Sequence, residues 1–302
     1  MKHFTVNEYL RSEYGEKVYR LSINGGMSCP NRDGTLGTGG CIFCSAGGSG
    51  DFATSAKLSI TDQIESAKER VIKKAPKCRK FIAYFQAYTN TYGNVDYLKK
   101  LFTEAINHPD IVILSIATRP DCLPTEVLDL LEELNQIKPV WVELGLQSIH
   151  EKSAKWMRRG YDTSIYDEAV RNLISRGIGV ITHLILGLPN ESNEDIYESV
   201  RHVASLAPND NSVMYGVKLQ LLHILKGTDL ATYYDENPFH IYSLEEYVSL
   251  VGDCIDILPE NVILHRITGD GPKSLLIEPK WSANKKLVLN TMNKALHDRG
   301  LV

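Results

Sequence analysis

Short hydrophobic runs alternate with amphipathic stretches along most of the chain. Six of these runs predict strands, over residues 18–23, 81–85, 111–116, 140–147, 180–186 and 217–222. Between the runs, hydrophobic residues recur at the spacing of one helix face. Continuously hydrophobic strands separated by helices are typical of a parallel sheet covered by helices. The pattern therefore predicts an α/β fold with six strand–helix rounds, similar to a partial (β/α)6 TIM-like barrel.

The helices between the strands have recognisable start signals. We expect Thr61 to cap the first helix after the glycine-rich segment, and Ser192 with Asp195 to form a capping box further along the chain. After about residue 230 the regular alternation ends, and a helix, a short strand and a last helix follow. We therefore expect three parts: an N-terminal extension over 1–15, the barrel core over 16–229, and a C-terminal α/β extension over 230–302 that forms a cap on the substrate side.

Polar side chains gather where the predicted strands end. They include Gln86, Thr118 and Gln147, at or just beyond the ends of three different hydrophobic runs, and His183, inside a fourth run that leads to Gly187. Ligands bind beyond the carboxyl ends of the strands in parallel sheets. This edge of the sheet is therefore the predicted binding site.

A glycine-rich loop after the first strand carries three of the six cysteines, Cys29, Cys41 and Cys44. Thiolates suit zinc, copper(I) or iron–sulfur clusters. Two interpretations stay open from the residues alone: a cluster with one iron left open for a ligand other than protein, or a structural zinc site with His3 or another residue as its fourth ligand. The other cysteines, Cys78, Cys122 and Cys254, each stand alone and are predicted to be ordinary residues.

Composition excludes several classes of protein. The 302 residues carry a formal net charge of −4, so the chain has no overall basic field for nucleic acid. We find no signal-peptide pattern and no run long enough to span a membrane. The cysteine pattern is unlike a secreted disulfide framework, so we expect a reducing cytoplasm. Basic residues cluster locally over 68–80 and again at Lys273, Lys280, Lys285 and Lys286, and the second cluster, beside Arg266 and Asp270, is the better candidate for binding phosphates.

Several short motifs, in this order along the chain, resemble the radical S-adenosylmethionine (radical SAM) superfamily. In particular they resemble a bacterial family related to the radical domain of the Elongator catalytic subunit. The motifs are CPNRDG (29–34), CIFC (41–44), FQAYTNTY (85–92), LGLQS (144–148), RG (159–160), ILGLP (185–189) and LKGT (225–228). Two departures stand out. Eleven residues separate Cys29 from Cys41 instead of the superfamily's common three, and Tyr161 stands where the family usually has histidine.

The resemblance implies a 4Fe–4S cluster held by Cys29, Cys41 and Cys44, with S-adenosylmethionine on the open iron. It also implies cofactor contacts along the strand ends. The residues concerned are Phe43 at the adenine, Gln86, Tyr88 and Asn90 at the methionine amino group, Glu143, Gln147 and Arg159 at the ribose and carboxylate, and Thr118, Arg119 and His183 at the same mouth. From the residues alone, Glu143 could instead pair with a core arginine, Arg159 could be a solvated helix residue and His183 a satisfied core histidine.

The resemblance further implies a reaction. We predict a radical SAM enzyme that remodels the 5-substituent of the wobble uridine of tRNA, from carboxymethylaminomethyl towards aminomethyl. Its expected partners are tRNA as substrate and an electron donor such as flavodoxin or ferredoxin, with no membrane; no oligomeric state is predicted. One alternative is a radical SAM enzyme that acts on a small metabolite or peptide. An alternative of another class is a non-catalytic zinc-stabilised binding protein.

Overall fold

The fold is known from a computed structural model, which describes residues 3–48, 50, 53–269 and 271–301. Its strands, in chain order, are β1 (Tyr19–Ile23), β2 (Phe81–Phe85), β3 (Ile111–Thr118), β4 (Val140–Gln147), β5 (Gly179–Leu186), β6 (Tyr215–Leu221), β7 (Ile224–Leu225), β8 (Ile263–Arg266) and β9 (Leu276–Glu278). Its α-helices are α1 (Val6–Tyr14), α2 (Ile60–Ile72), α3 (Val95–Asn107), α4 (Thr125–Asn135), α5 (Glu151–Trp156), α6 (Thr163–Ser175), α7 (Asn193–Ser205), α8 (Asp229–Glu236), α9 (Leu244–Ile257) and α10 (Lys285–Asp298). Among these described helices, none combines the length and the hydrophobicity that a membrane span requires.

Seven parallel strands form one curled sheet, in the order β1-β2-β3-β4-β5-β6-β8. The predicted α/β fold class with a partial barrel is therefore confirmed. The sheet has one strand more than the six predicted rounds, because β8 of the C-terminal segment pairs in parallel with β6. The same segment supplies β9, which pairs with β7 in a small antiparallel sheet. The proposed division at residue 230 stays a prediction.

Helix starts follow local capping chemistry. Ser192 and Asp195 form the predicted capping box at the start of α7. At the start of α2 the prediction was wrong, because Ser59 caps the helix and its side chain accepts a hydrogen bond from the backbone of Asp62. Thr61 lies inside the helix, where its hydroxyl donates to Glu104 at 2.9 Å. Either Ser59 or Thr61 fits the cap preference, so the choice depends on where the preceding loop joins the helix.

The interior of the half-barrel has three layers, because every second residue of a strand faces the same side. The lowest layer is hydrophobic and consists of Val18, Ile82, Ile113, Trp141 and Ile181. Leu10 of α1 packs against it. The middle layer lies two residues further along each strand and is polar. It consists of Tyr84, Ser115, Glu143 and His183. Two residues beyond those come Gln86, Ala117, Gly145 and Ile185, which line a cavity. The hydrophobic layer therefore closes one end of the half-barrel, and the polar side chains lie towards the carboxyl ends of the strands.

Candidate active site

A cavity of about 280 Å³ lies between the cysteine loop and the carboxyl ends of the strands. All three predicted metal ligands line it. So do nine of the ten predicted cofactor residues: Phe43, Gln86, Tyr88, Thr118, Arg119, Glu143, Gln147, Arg159 and His183. The structure thus brings together residues that lie as much as 154 positions apart, from Cys29 to His183 (183 − 29). Their individual roles towards a cofactor stay predictions.

Asn31 closes the long loop between the first two cysteines. Its carbonyl oxygen accepts a hydrogen bond from the backbone N–H of Gly40 at 2.7 Å. Its side-chain amide donates to the sulfur of Cys41 at 3.4 Å and to the carbonyl oxygen of Arg158 at 2.7 Å. The eleven-residue insertion therefore returns on itself, so that Cys29 and Cys41 line the same cavity in spite of the gap.

The three cysteines of the loop lie at one cavity. Each of the three cysteines is partly exposed at the cavity. Among the described residues, their sulfurs do not form a group in which all atoms lie within 4.8 Å of one another. His3, the suggested fourth zinc ligand, lies elsewhere, where its backbone N–H donates to Leu301 at 3.0 Å.

Tyr88 supports the segment that follows the third cysteine. Its hydroxyl donates to the carbonyl oxygen of Ala46 at 2.7 Å, and its backbone N–H donates to Gly48 at 2.8 Å. A Cβ atom at Gly48 would lie 2.3 Å from the Tyr88 ring. Tyr88 and Gln147 both have left-handed backbones, with φ of 60° and 64°. Such conformations cost about 1–2 kcal/mol each, so the surrounding contacts hold both strand ends in place.

Asn90 is the one predicted cofactor residue that does not line the cavity. Its side chain is fully buried, and its amide donates to the carbonyl oxygens of Phe85 at 3.0 Å and Ala117 at 2.8 Å. Asn90 therefore ties the end of β2 to β3 behind the cavity wall. Thr118 is also engaged, through a hydroxyl hydrogen bond with Thr91.

Arg159 is buried and its guanidinium is already occupied. Only 1% of the residue is exposed, so it is not a solvated helix residue. Its N–H groups donate to the carbonyl oxygens of Leu146, Ser148 and Tyr161 at 2.6–3.0 Å, and to the hydroxyl of Thr163 at 3.2 Å. This residue therefore holds the turn after β4 to the start of α6.

Tyr161, at the position of the family's histidine, lies between two arginines. The guanidinium carbons of Arg119 and Arg159 lie 4.9 and 4.8 Å from its ring centre. Its hydroxyl donates to the carbonyl oxygen of Gly145. Arg119 is further held by both carboxylate oxygens of Asp121, at 2.8 and 2.9 Å. Tyr161 is therefore a ring fixed between two arginines by cation–π contacts.

Glu143 is the centre of the polar layer. Its carboxylate accepts hydrogen bonds from Ser115 at 3.0 Å and His183 at 2.8 Å, and it pairs with Lys218 and with Arg20 at 3.3 Å. Burial by itself would raise the pKa of Glu143, but the charges of Lys218 and Arg20 outweigh burial and hold the pKa well below its usual value. The pairing with a core arginine, which the sequence left open, is present.

His183 is neutral and has a defined tautomer. Burial, together with the charge of Lys218, lowers its pKa to about 4. The amide of Gln220 lies 3.0 Å from Nδ1, so this nitrogen accepts, and Nε2 donates to Glu143. His183 is therefore the satisfied interior histidine that the sequence allowed, at the edge of the cavity.

Sequence analysis missed Lys218 and Arg20. Lys218 is 1% exposed, lines the cavity and contacts both Glu143 and Tyr84. One signal could have found it, since a single lysine in the middle of a hydrophobic strand needs a buried partner. Arg20 occupies a similar position in β1.

Comparison with known proteins identifies the family. Residues 32–203, more than half of the chain, match the radical SAM superfamily, and residues 214–298 match the radical SAM C-terminal domain. The chain belongs to the radical SAM superfamily. This radical SAM protein is 45% identical over 299 residues to YtqA of Bacillus subtilis (strain 168), with 99% of this chain and 91% of YtqA covered. It is 36% identical over 293 residues to YhcC of Escherichia coli (strain K12), with 97% and 91% covered.

Two more distant similarities involve larger proteins. The tRNA uridine(34) acetyltransferase of Methanocaldococcus infernus is 28% identical over 185 residues, which cover 61% of this chain and 33% of that protein. The solved structure of Elp3 from the same archaeon, with an N-terminal deletion, matches with a TM-score of 0.68 at 18% identity, over 94% of this chain and 64% of the other. At this identity the structural match shows a shared fold.

Membership of the radical SAM superfamily defines the cofactors as a 4Fe–4S cluster and S-adenosylmethionine. The residues present fit this pair: three partly exposed thiols stand at one side of a cavity whose other walls combine polar and hydrophobic side chains. Burial raises the pKa of the Cys41 thiol to about 11, so cluster binding must displace its proton. When bound, the pair supplies a 5′-deoxyadenosyl radical that removes a hydrogen atom from substrate, and the protein positions the reactants and excludes competing reactions.

Proposed function

We propose that this radical SAM enzyme acts on tRNA and shortens the 5-substituent of the wobble uridine from carboxymethylaminomethyl to aminomethyl. The observation that carries the proposal is the similarity over 185 residues to a protein named for tRNA uridine 34, the wobble position. The proposal extends that likeness from the base to a reaction at its 5-substituent. Cys29, Cys41 and Cys44 are the proposed cluster ligands.

The proposed chemistry is an oxidative cleavage of a C–N bond. The methylene carbon between the amine and the carboxylate would lose one hydrogen atom to the 5′-deoxyadenosyl radical and then one electron, which would return to the cluster that supplied the electron for cleavage. S-adenosylmethionine would therefore be the net two-electron oxidant. The product of this oxidation is an iminium group. Water adds to the iminium carbon, the C–N bond breaks, and aminomethyluridine and glyoxylate leave as products. The carbon is oxidised by two electrons, so each turnover consumes one S-adenosylmethionine.

The C-terminal segment offers a route for the RNA backbone to the cavity. Gly269, Gly271 and Pro272 line the cavity, and Lys273 follows them directly. The side chain of Lys280 is 83% exposed and 3.4 Å from Glu278. By contrast, Lys68 of the other basic cluster is paired with Glu65 and Asp110 at 2.6 and 2.8 Å. These contacts favour the C-terminal cluster, as the sequence did, for contact with phosphates. Asp270, the acidic neighbour named with this cluster, lies outside the described residues.

The test is nucleoside analysis of tRNA from a strain that lacks the gene. We expect carboxymethylaminomethyluridine to accumulate and aminomethyluridine, with anything derived from it, to disappear. The wild-type gene should restore the profile and the Cys41→Ala variant should not. An unchanged nucleoside profile in the deletion strain would sink the proposal. A matching assay in vitro uses anaerobically reconstituted protein, reduced by flavodoxin or ferredoxin, and follows deuterium from the substrate methylene into 5′-deoxyadenosine.

The alternative substrate class is a small metabolite or peptide, which the modest cavity volume of about 280 Å³ favours. The salt dependence of tRNA binding distinguishes the two substrate classes. Binding of tRNA through phosphate contacts should weaken steeply as salt rises, because counterions are released on binding. A protein that forms 5′-deoxyadenosine on a small carboxylic substrate, and binds tRNA weakly without salt dependence, would support the alternative.

A further inference from the structure

The polar layer beneath the cavity contains a lysine that the cofactor assignment leaves without a role. Lys218 is buried on β6 and its ammonium nitrogen contacts the carboxylate of Glu143 and, at 3.4 Å, the hydroxyl of Tyr84. A lysine ammonium has three N–H donors. Two of them have protein acceptors here, and Lys218 also lines the cavity. The third donor is therefore available to a ligand at the cavity floor.

The neighbours of Lys218 define the charge that such a ligand should carry. Around Lys218 lie one anion, Glu143, which Arg20 already pairs at 3.3 Å, two cations, Arg20 and Arg266, and the neutral side chains of His183 and Tyr84. Burial lowers the pKa of Lys218 well below its usual value, against the attraction of Glu143. A second anion beside the amine would favour its charged form. A lysine ammonium paired with a carboxylate adds no net charge to the interior, whereas a neutral or cationic ligand would leave the amine poorly compensated.

We infer that Lys218 binds the carboxylate of the substrate at the floor of the cavity and so selects the carboxymethylaminomethyl group over its uncharged or shortened forms. This inference rests on the proposed function and adds the residue that recognises the substituent. Two carboxylates could reach Lys218, that of the substrate and that of S-adenosylmethionine. The latter is expected on the open iron at the cysteine loop, so the substrate is the source we propose.

The experiment measures binding rather than turnover. Reconstituted protein with S-adenosylmethionine and no reductant is titrated with two synthetic anticodon stem–loops. One carries carboxymethylaminomethyluridine at the wobble position, and the other carries the matching carboxamide, which has the same shape without the charge. We expect wild-type protein to prefer the carboxylate by about tenfold or more, as for a hydrogen bond to a charged group. Lys218→Met should bind both stem–loops equally.

Two further variants test whether a lost preference could result from misfolding instead of from the missing lysine. The double variant with Lys218→Met and Glu143→Gln removes the buried pair as a unit, leaves no carboxylate without its lysine, and should also lose the preference. Lys138→Met is the matched control, because Lys138 donates to His108 at 2.9 Å outside the cavity lining; it should keep the wild-type preference. Thermal melting of all four proteins confirms that they are folded.

The outcomes separate this inference from the proposed function. Equal binding of both stem–loops by wild-type protein, or a preference that survives Lys218→Met, overturns the role of Lys218 while the tRNA proposal stands. Weaker S-adenosylmethionine binding in Lys218→Met, with the RNA preference intact, would assign Lys218 to the cofactor and also overturn the inference. If wild-type protein binds neither stem–loop, both proposals fail.

Discussion

Arg20 on β1 donates a hydrogen bond to Nδ1 of His265 on β8 at 2.8 Å, and so joins the two edge strands of the open sheet. The same guanidinium pairs with Glu143 on β4. Burial, reinforced by the charge of Arg20, holds the pKa of His265 well below its usual value, so the ring is neutral and Nδ1 is free to accept. The half-barrel is therefore closed by side chains where its backbone is open.

Removing this cross-connection should destabilise the fold. We expect Arg20→Met to lower the free energy of unfolding by about 2–4 kcal/mol, because the buried side chains of Glu143 and His265 each lose a charged partner. Urea denaturation measures the change. Arg11→Met, on the exposed side of α1, is the control and should change stability by less than about 0.5 kcal/mol. A similar small effect for both variants would show that the edges are held by other contacts.

The cluster ligands should be separable from the remaining cysteines. Cys41→Ala should abolish the visible absorbance of the anaerobically reconstituted protein and lower its iron content, because three thiolates are needed to hold the cluster. Cys254→Ala should reconstitute like the wild type, since Cys254 is buried in α9 and burial raises its pKa to about 12. Equal iron loss in the two variants would contradict the assignment.

The loop between Cys29 and Cys41 should depend on Asn31. Asn31→Ala removes the amide that contacts Cys41 and the carbonyl oxygens of Arg158 and Arg159. We expect a markedly lower iron content after reconstitution. Thr38→Ala, at an exposed position in the same loop, should have no effect.

Shortening the DGTLGTGG segment over 33–40 should impair cluster assembly more severely than Asn31→Ala. The hydrogen bond from Gly40 to Asn31 closes the loop, and a shorter chain cannot make that return. Iron content and formation of 5′-deoxyadenosine are the two measurements. A shortened variant that keeps both would show that the insertion serves another purpose, such as substrate entry.

His183 should make stability depend on pH. Its pKa is about 4 in the folded protein and about 6.5 when unfolded, so the unfolded chain binds the extra proton first as pH falls. The stabilisation is therefore fully present above about pH 6.5 and is lost progressively as pH falls towards 4, by about 3 kcal/mol in all. His183→Gln keeps a donor for Glu143 and should flatten this part of the curve. Parallel losses in both proteins between pH 7 and pH 5 would refute the assignment.

Much of the sheet could be predicted, because buried parallel strands are continuous hydrophobic runs. The strand at Ile263–Arg266 could be seen as a strand, but not as the edge of the same sheet. It is only four residues long, and α8 and α9 separate it from β6, so the strand–helix alternation gave no sign that the two strands pair.

The order of the motifs along the chain was enough to predict that the cysteines and the strand-end residues share one site. It was not enough to predict the contacts of individual residues. Asn90 comes five residues after the end of β2, and the chain turns behind the cavity wall at that point. The pair of Lys218 and Glu143 depends on the register of β4, β5 and β6, which brings residues 75 positions apart into one layer. The register between strands is a property of the whole sheet and cannot be predicted from the sequence of any one segment.

The hydrophobic layer under the polar layer closes one end of the half-barrel. Leu10 of α1 and the side chains of Ile82, Ile113, Trp141 and Ile181 seal the end opposite the cysteine loop. Small hydrogen-atom donors from solution, which would quench a carbon radical before it meets substrate, are therefore kept out at this end by the described residues, and a bound substrate stands in their way at the other. Through this seal, the first helix of the chain, which touches none of the chemistry, helps to determine how much S-adenosylmethionine is consumed without product.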